Sequence, residues 1–339
     1  MSDVIFKPPP ITIHERLQAQ ELGEKLPWHL TDYKIPEAWK KTSGKGVTVG
    51  IVDSGIDEQH RQHGDLQNAV EDAQSFAGGT TDDVLGHGTH VAGIIGARHN
   101  HQGVAGLAPD CRLAIARALG DNGSGSETSV SAGIEWCVEQ GCHVINLSLG
   151  SSMRSERIAQ AIESANNSGA IVVAAAGNDG GAVNYPARLK DTLAVSAIDR
   201  NRQPAPFTSR GAQVDVGAPG VKILSTYKFG GYAVLSGTSM AAPWISGLLA
   251  LKIANDLAVG NGSSMQHSAA GALEFIAAIA KDAGDPGRDD LFGEGIPDLT
   301  DAFRQHAEIK PVYSFAGIGV WIPARSDKQL FSVGLLDAQ

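Results

Sequence analysis

GVTVGIVD (46–53) is the stretch whose reading decides the fold: Val47, Thr48, Val49, Ile51 and Val52 are β-branched, and no charge interrupts the run before Asp53. Branched side chains are stiff and favour extended backbone. An apolar run without alternating polar positions suits a strand buried on both faces, as in a parallel sheet. RLAIARAL (112–119), HVINLSLG (143–150), AIVVAAAG (170–177) and TLAVSAI (192–198) have the same character. Between them, TSVSAGIEWCVEQG (128–141) and SERIAQAIESANNSG (155–169) carry apolar residues at helical spacing and end on Gly141 and Gly169, a common helix stop. The alternation predicts an α/β fold, a three-layer doubly wound parallel sheet with helices on both faces.

In such sheets, reactive groups gather in loops beyond the carboxyl ends of the strands. Asp53, the segment Ser148 to Gly150, and Gly177 with Asn178 stand at such ends, so three chain-distant segments are expected along one edge. Residues 25–306 show neither an internal repeat nor a linker and read as one domain. Residues 1–24 form an N-terminal extension, and 307–339 a C-terminal tail.

The 339 residues are 42% hydrophobic, enough to bury a large core. With 27 Lys and Arg against 37 Asp and Glu, the net charge is −10. No basic run tracks a phosphate backbone, so no nucleic-acid partner is expected. No apolar stretch approaches the ~18 residues of a membrane-crossing helix, so no membrane partner is expected either. MSDVIFKPPPITIHERLQ (1–18) lacks the pattern of a secretory signal. Cys111, Cys137 and Cys142 fit no metal-ligand spacing, and the expectation is a cytoplasmic protein with reduced thiols.

LGHGTHVAGIIGA (85–97) places His87 at the start of a small-residue helix, where a neutral imidazole can serve as a general base. Asp53, at a strand end, can accept the proton-bearing ring nitrogen and hold the tautomer. LSGTSMAAPWISGLLALK (235–252) sets Ser239 at another helix start, where small neighbours expose the hydroxyl and the helix end favours developing negative charge. AAAGNDG (174–180) offers the Asn178 amide as a donor to an oxygen anion. Taken singly, these four are more often a structural His, a turn Asp, an N-cap Ser and a left-handed Asn.

Together, VDSGID (52–57), GHGTHVAG (86–93) and GTSMAAP (237–243) resemble the three active-site signatures of the subtilisin family, in its Asp, His, Ser order. INLSLG and AAAGNDG lie between them, and the resemblance covers about residues 25–306. It implies a serine endopeptidase acting on peptide and protein substrates through an acyl-enzyme. Ser239 is the implied nucleophile, His87 the general base and then acid, Asp53 its orienting partner, and Asn178 the oxyanion donor with the Ser239 N–H. His90 matches a structural position of the family and separates the chain from the kexin and furin branch, which has Arg there. An intact His and oxyanion Asn separate it from the sedolisins.

The resemblance also implies where substrate lies: extended between Gly123, Ser124, Gly125 and Ser126 on one side and Ser148, Leu149 and Gly150 on the other. Backbone pairing of this kind carries little sequence preference. The pocket for the residue before the scissile bond is implied to be lined by Ser148 to Gly150, Ala175 to Gly177 and DGGAVNYP (179–186), with Asp179 and Asn184 polar there. Glu127 falls at the rim of a more distant subsite and, with Asp179, favours basic peptide positions.

ARHNHQGVAGLAP (97–109) resembles the family's calcium loop. That implies a Ca2+ shell of the Asn100 side chain, the Arg98, Gln102 and Val104 carbonyls, the Asp65 carboxylate and Glu24, hard oxygens suited to calcium. The N-terminal extension is similar in kind to that of the intracellular subtilisins, where a short segment covers the cleft until it is removed, and IFKPPPITI (5–13) is stiff enough to occupy a groove. The tail PVYSFAGIGVWIPARSDKQLFSVGLLDAQ (311–339) is apolar enough to pack on the body or on a second copy in a homodimer. A broad-specificity endopeptidase, a maturation protease dedicated to one partner protein, and an inactive binding module on the same fold are the functions weighed.

Overall fold

The computed structural model describes residues 3–18, 23–260, 268–299 and the pairs 314–315 and 318–319. By contact, the chain forms two units, Met1–Ala302 and Phe303–Gln339. Within the second, β15 (Ser314–Phe315) pairs antiparallel with β16 (Ile318–Gly319).

The first unit is built on seven parallel strands in the order β10-β9-β8-β7-β3-β5-β4. They are β3 (Thr48–Asp53), β4 (Val70–Ser75), β5 (Arg112–Arg117), β7 (Val144–Leu147), β8 (Ile171–Ala175), β9 (Leu193–Ile198) and β10 (Val216–Pro219). A second sheet holds β11 (Ile223–Tyr227), β12 (Gly231–Ser236) and β2 (Thr12–Leu17), all antiparallel. β1 (Ile5–Phe6) pairs with β6 (Gly125–Ser126), and β13 (Ala280–Lys281) with β14 (Ile296–Pro297). The longer helices are α4 (His87–Gly96), α5 (Glu127–Glu139), α6 (Glu156–Asn167), α7 (Thr238–Ala258) and α8 (Ala269–Ile279); α1 (Trp28–Thr31), α2 (Ile35–Ala38) and α3 (Glu58–His63) are short.

The five apolar runs form the middle of the sheet, and β3, β7, β8 and β9 are buried at every position. Successive side chains of a strand point to opposite faces. Val52, Ala114, Ala116, Ile145, Leu147, Val172 and Ala174 meet Val130 and Ile134 of α5 and Ile158 and Ile162 of α6 in one apolar cluster. The opposite face is covered by α7, which packs on β7, β8, β9 and β10 and against α4. The side chains of Ser126 and Ser155 cap α5 and α6 by accepting N–H bonds from Ser129 and Ile158, which explains why both helices begin where they do.

β4 and β10, at the two edges, are additions to the sequence reading. VEDAQS is exposed or half-buried throughout, so β4 carries no apolar run to betray it, and VGAP contains the strand-poor residues Gly and Pro.

Candidate active site

The carboxyl ends of β3, β7 and β8 bring Asp53, Ser148 and the Gly177–Asn178 turn to one rim, as doubly wound topology requires. Asp53 is the last residue of β3 and fully buried. Its Oδ1 accepts the Ser54 N–H at 2.7 Å and lies 2.7 Å from His87 Nδ1. A carboxylate only accepts, so Nδ1 carries the proton and Nε2 is the basic nitrogen.

His87 opens α4 because the preceding turn is pinned. Gly86 adopts φ 85°, and a Cβ there would stand 2.5 Å from the Tyr227 ring, so this position excludes side chains. Asp83 holds the turn: Oδ1 accepts from the Ser54 hydroxyl (2.8 Å) and the Gly86 N–H (2.8 Å), and Oδ2 from the Thr89 N–H (2.8 Å) and hydroxyl (2.7 Å). Sequence reasoning missed Asp83; the one available signal was a carboxylate ahead of a helix start, and its twin Asp82 dilutes that signal. Burial pulls the His87 pKa down, but the Asp53 charge and hydrogen bond and the Asp83 charge outweigh it, leaving the imidazole raised above 6.5. His90 has no such support. Its Nε2 lies 3.1 and 3.0 Å from the Ile223 and Ala233 carbonyls, and burial drives its pKa to about 3, so it stays neutral and structural.

Ser239 is the second residue of α7, which packs on α4. Its hydroxyl donates to the Ser148 carbonyl (3.3 Å), while His87 Nε2 has no hydrogen-bond partner among the described residues. A polar ladder absent from the sequence reading supports this turn: Ser246 Oγ donates to Asn146 Oδ1, Asn146 Nδ2 to Ser148 Oγ, and Ser148 Oγ to the Ser239 carbonyl. Asn178 Oδ1 accepts the Thr238 N–H (2.8 Å) and hydroxyl (2.7 Å), which orients Nδ2 as a free donor. That donor meets the Pro10 carbonyl at 2.8 Å. A Cβ on Gly237 would lie 2.9 Å from Asn178 Nδ2 and 3.1 Å from the Ile11 side chain, so glycine keeps this corner open.

Residues 3–18, the leader, run across this rim. The Glu127 N–H donates to the Val4 carbonyl, Ile5 and Phe6 pair with Ser126 and Gly125, and Lys7 exchanges two backbone bonds with Gly150 (3.0 and 2.8 Å). Phe6 is fully buried, in the cluster that holds Leu119, Val130, Leu149 and Ile158, and Pro9 is buried too. Beyond Pro10 the chain joins β12 as β2.

Most of the expected substrate-facing residues come together. Asn184 stands beside both Gly150 and Gly177, and its N–H donates to the Ala176 carbonyl next to Ala175. Gly125 is on the leader, whereas Gly123 and Ser124 are not; they close a turn with Gly120, and Gly123 at φ 74° ends the ladder. The pairing therefore uses the downstream half of the expected 123–126 segment and runs on to Glu127. Asp179 is exposed, its carboxylate engaged by the Ser209 hydroxyl and the Gly181 N–H, bonds that hold its pKa below the ordinary value.

The six expected calcium ligands are also neighbours. Asp65 Oδ2 accepts the Val104 N–H (2.7 Å), the Arg98 N–H donates to the Asp65 carbonyl, Gln102 bridges Gly23, and Glu24 accepts the N–H groups of Asn100 and His101. Asn100 Oδ1 accepts the Gln102 N–H. Asp65 is buried, and burial raises its pKa; the side-chain oxygens of Asp65, Asn100 and Glu24 with three backbone carbonyls are an all-oxygen donor set of the kind that suits a hard cation. Among the described residues no three His, Cys, Asp or Glu side chains cluster as a metal site, and the shell relies on backbone carbonyls.

A family model described as the subtilase family matches residues 44–295. The chain is similar to M-protease of Shouchella clausii, 43% identical over 243 residues, 70% of this chain and 62% of that protein. It is 44% identical over 233 residues to Subtilisin Savinase of Lederbergia lenta, 68% of this chain and 84% of that protein. It is 38% identical over 273 residues to Minor extracellular protease Epr of Bacillus subtilis, 79% of this chain and 40% of that protein. The match thus spans less than two thirds of M-protease and of Epr. With a buried Asp–His pair, a serine at a helix start and an asparagine amide along one sheet edge, this chain belongs to the subtilase family.

Proposed function

We propose that the protein is a serine endopeptidase whose own leader occupies its cleft. The observation that carries this reading is the Asn178 amide, held by Thr238 next to Ser239 and already donating to a peptide carbonyl. In the reaction, His87 Nε2 takes the hydroxyl proton as Ser239 Oγ attacks the carbonyl carbon, and Asn178 Nδ2 with the Ser239 N–H stabilises the oxygen anion. Collapse breaks the C–N bond, and His87 returns the proton to the departing amine. Water, deprotonated by the same imidazole, then releases the acid. Labelling of Ser239 by a fluorophosphonate, mapped by mass spectrometry after the leader is displaced, tests it; an unlabelled, folded protein overturns it.

A general base must be unprotonated, and the raised His87 pKa keeps the imidazolium to higher pH. The acid limb of kcat/KM is accordingly expected above pH 6.5. A pH–rate profile with its midpoint below that value would contradict the Asp53 and Asp83 contribution.

The leader acts in this proposal as an inhibitor rather than a substrate. Extending the register that pairs Lys7 with Gly150 sets Pro9 opposite Ser148, whose carbonyl accepts the Ser239 hydroxyl, yet the carbonyl on Asn178 belongs to Pro10. Proline has no N–H, so the Pro8–Pro10 run cannot donate to the Ser148 carbonyl as a paired substrate strand would. Burying Phe6 anchors the segment, and removing an aromatic side chain from such a site costs roughly 1.5–3 kcal/mol. Phe6→Ala is therefore expected to raise the initial peptide-cleavage rate of the full chain about ten- to a hundredfold; an unchanged rate without a lag in the parent chain rules the inhibitor role out.

Ca2+ is proposed at Asp65, Asn100, Glu24 and the Arg98, Gln102 and Val104 carbonyls, where it would tie the 98–104 loop to the segment after the leader. Chelation is expected to lower Tm by several degrees, and Asp65→Asn to abolish that difference. We further propose a cytoplasmic location, in keeping with three buried, unpaired cysteines.

A further inference from the structure

β12 leads directly into the Gly237–Thr238–Ser239 turn, and its two neighbours differ in kind: β11 is part of the body, whereas β2 is part of the leader. The pairing is long. Thr12 faces Ser236, Ile13 faces Leu235, Glu15 faces Val234, Arg16 faces Ala233 and Leu17 faces Tyr232, with His14 bulged between Ile13 and Glu15. The chain that presents the Pro10 carbonyl to Asn178 passes without interruption onto this edge. Counting from that carbonyl, Ile11 is the first residue after it, Thr12 the second and Leu17 the seventh.

When the leader leaves, β12 is an edge strand, its outward N–H and C=O groups unpaired and antiparallel to any polypeptide leaving the cleft. An unpaired edge of this kind captures extended chains. We propose that β12 is an extended binding site for the half of a protein substrate that follows the scissile bond, gripping it from about the second to the seventh residue. This rests on the endopeptidase reading of the same cleft and adds to it a preference for substrates with a long leaving segment. Recognition is through backbone, because Thr12 to Arg16 all point to solvent or lie exposed. Two side-chain contacts refine it: His14 Nε2 lies 2.7 Å from Ser236 Oγ, and the Arg16 guanidinium stands over the Tyr227 ring, 5.7 Å from its centre. The ring favours a cation at the sixth leaving residue.

The test uses the full chain carrying Phe6→Ala, Glu15→Pro and Arg16→Pro, which loosens the leader's anchor and removes ladder donors from its strand. Three quenched fluorescent peptides share every residue up to the cleaved bond. One has a two-residue leaving segment, one a seven-residue segment, and one the seven-residue segment with alternate amides N-methylated. The seven-residue peptide is expected to show kcat/KM at least tenfold above the short one, mostly through KM, and N-methylation is expected to erase the gain. Replacing Arg by Ala at the sixth leaving position should cost about two- to fivefold. Equal kcat/KM for all three peptides overturns the proposal while leaving the endopeptidase intact. Failure to cleave any of them, with no fluorophosphonate labelling of a variant whose melting curve shows a cooperative transition like the parent's, sinks the endopeptidase reading and this one with it. The melting curve, which does not depend on activity, reports that the triple variant is folded.

Discussion

Ser239→Ala is expected to lower kcat by about a millionfold, the loss long established for the nucleophile of subtilisin, with Tm nearly unchanged. The side chain is fully buried and loses one oxygen, whose bond to the Ser148 carbonyl is long at 3.3 Å. A neutral hydrogen bond contributes about 1 kcal/mol. The turn itself is held by backbone and by Thr238, Ser148, Asn146 and Ser246, none of which depends on that hydroxyl. Peptide hydrolysis, fluorophosphonate labelling and a melting curve measured side by side separate the outcomes. A variant that melts like the parent yet retains more than a thousandth of its rate would show that Ser239 is not the nucleophile.

The second large effect concerns the amide. Asn178→Ala is expected to cut kcat by about 10² to 10³ (~2.7 to 4 kcal/mol), the size known for the matching amide of subtilisin, with KM nearly unchanged. The reason is differential: a donor aimed at developing charge acts chiefly in the transition state. Here the same substitution has a second consequence, because Nδ2 also holds the Pro10 carbonyl. Weaker leader docking should partly offset the loss in the full chain, so the full deficit appears only when Phe6→Ala is added. The Thr238 N–H and hydroxyl lose their acceptor as well, at about 1 to 3 kcal/mol of stability. An equal rise in KM with kcat intact would mean that the amide merely binds substrate.

The central strands were legible because β3, β7, β8 and β9 are buried on both faces and each must therefore be an unbroken apolar run. The exposed edge strand β4 escapes that requirement, and the buried β10 was silent because half of its four residues are the strand-poor Gly217 and Pro219. Asp53, His87, Asn178 and Ser239 could be picked out because the strings around them, VDSGID, GHGTHVAG, AAAGNDG and GTSMAAP, resemble together the signatures of one family, whereas singly each reads as structural. Asp83, Asn146 and Thr238 could not. Their roles are hydrogen bonds to segments 29, 100 and 60 residues away, and no local pattern encodes a partner at that distance. That only Gly125 and Ser126 of the expected 123–126 segment pair with the N-terminal strand has the same origin: strand register depends on where a left-handed glycine ends the ladder.

By itself, the sequence determined the class of fold and the order of the sheet's buried strands along the chain, because burial and chain direction leave those features no freedom, and its signature strings singled out Asp53, His87, Asn178 and Ser239. Only the tertiary structure decided that the Pro10 carbonyl is the one that meets Asn178 and that the chain continues from there as a strand on β12. Those outcomes depend on the register between segments more than a hundred residues apart, which is set by the packing of Phe6 into the core and by the shape of the turns around it.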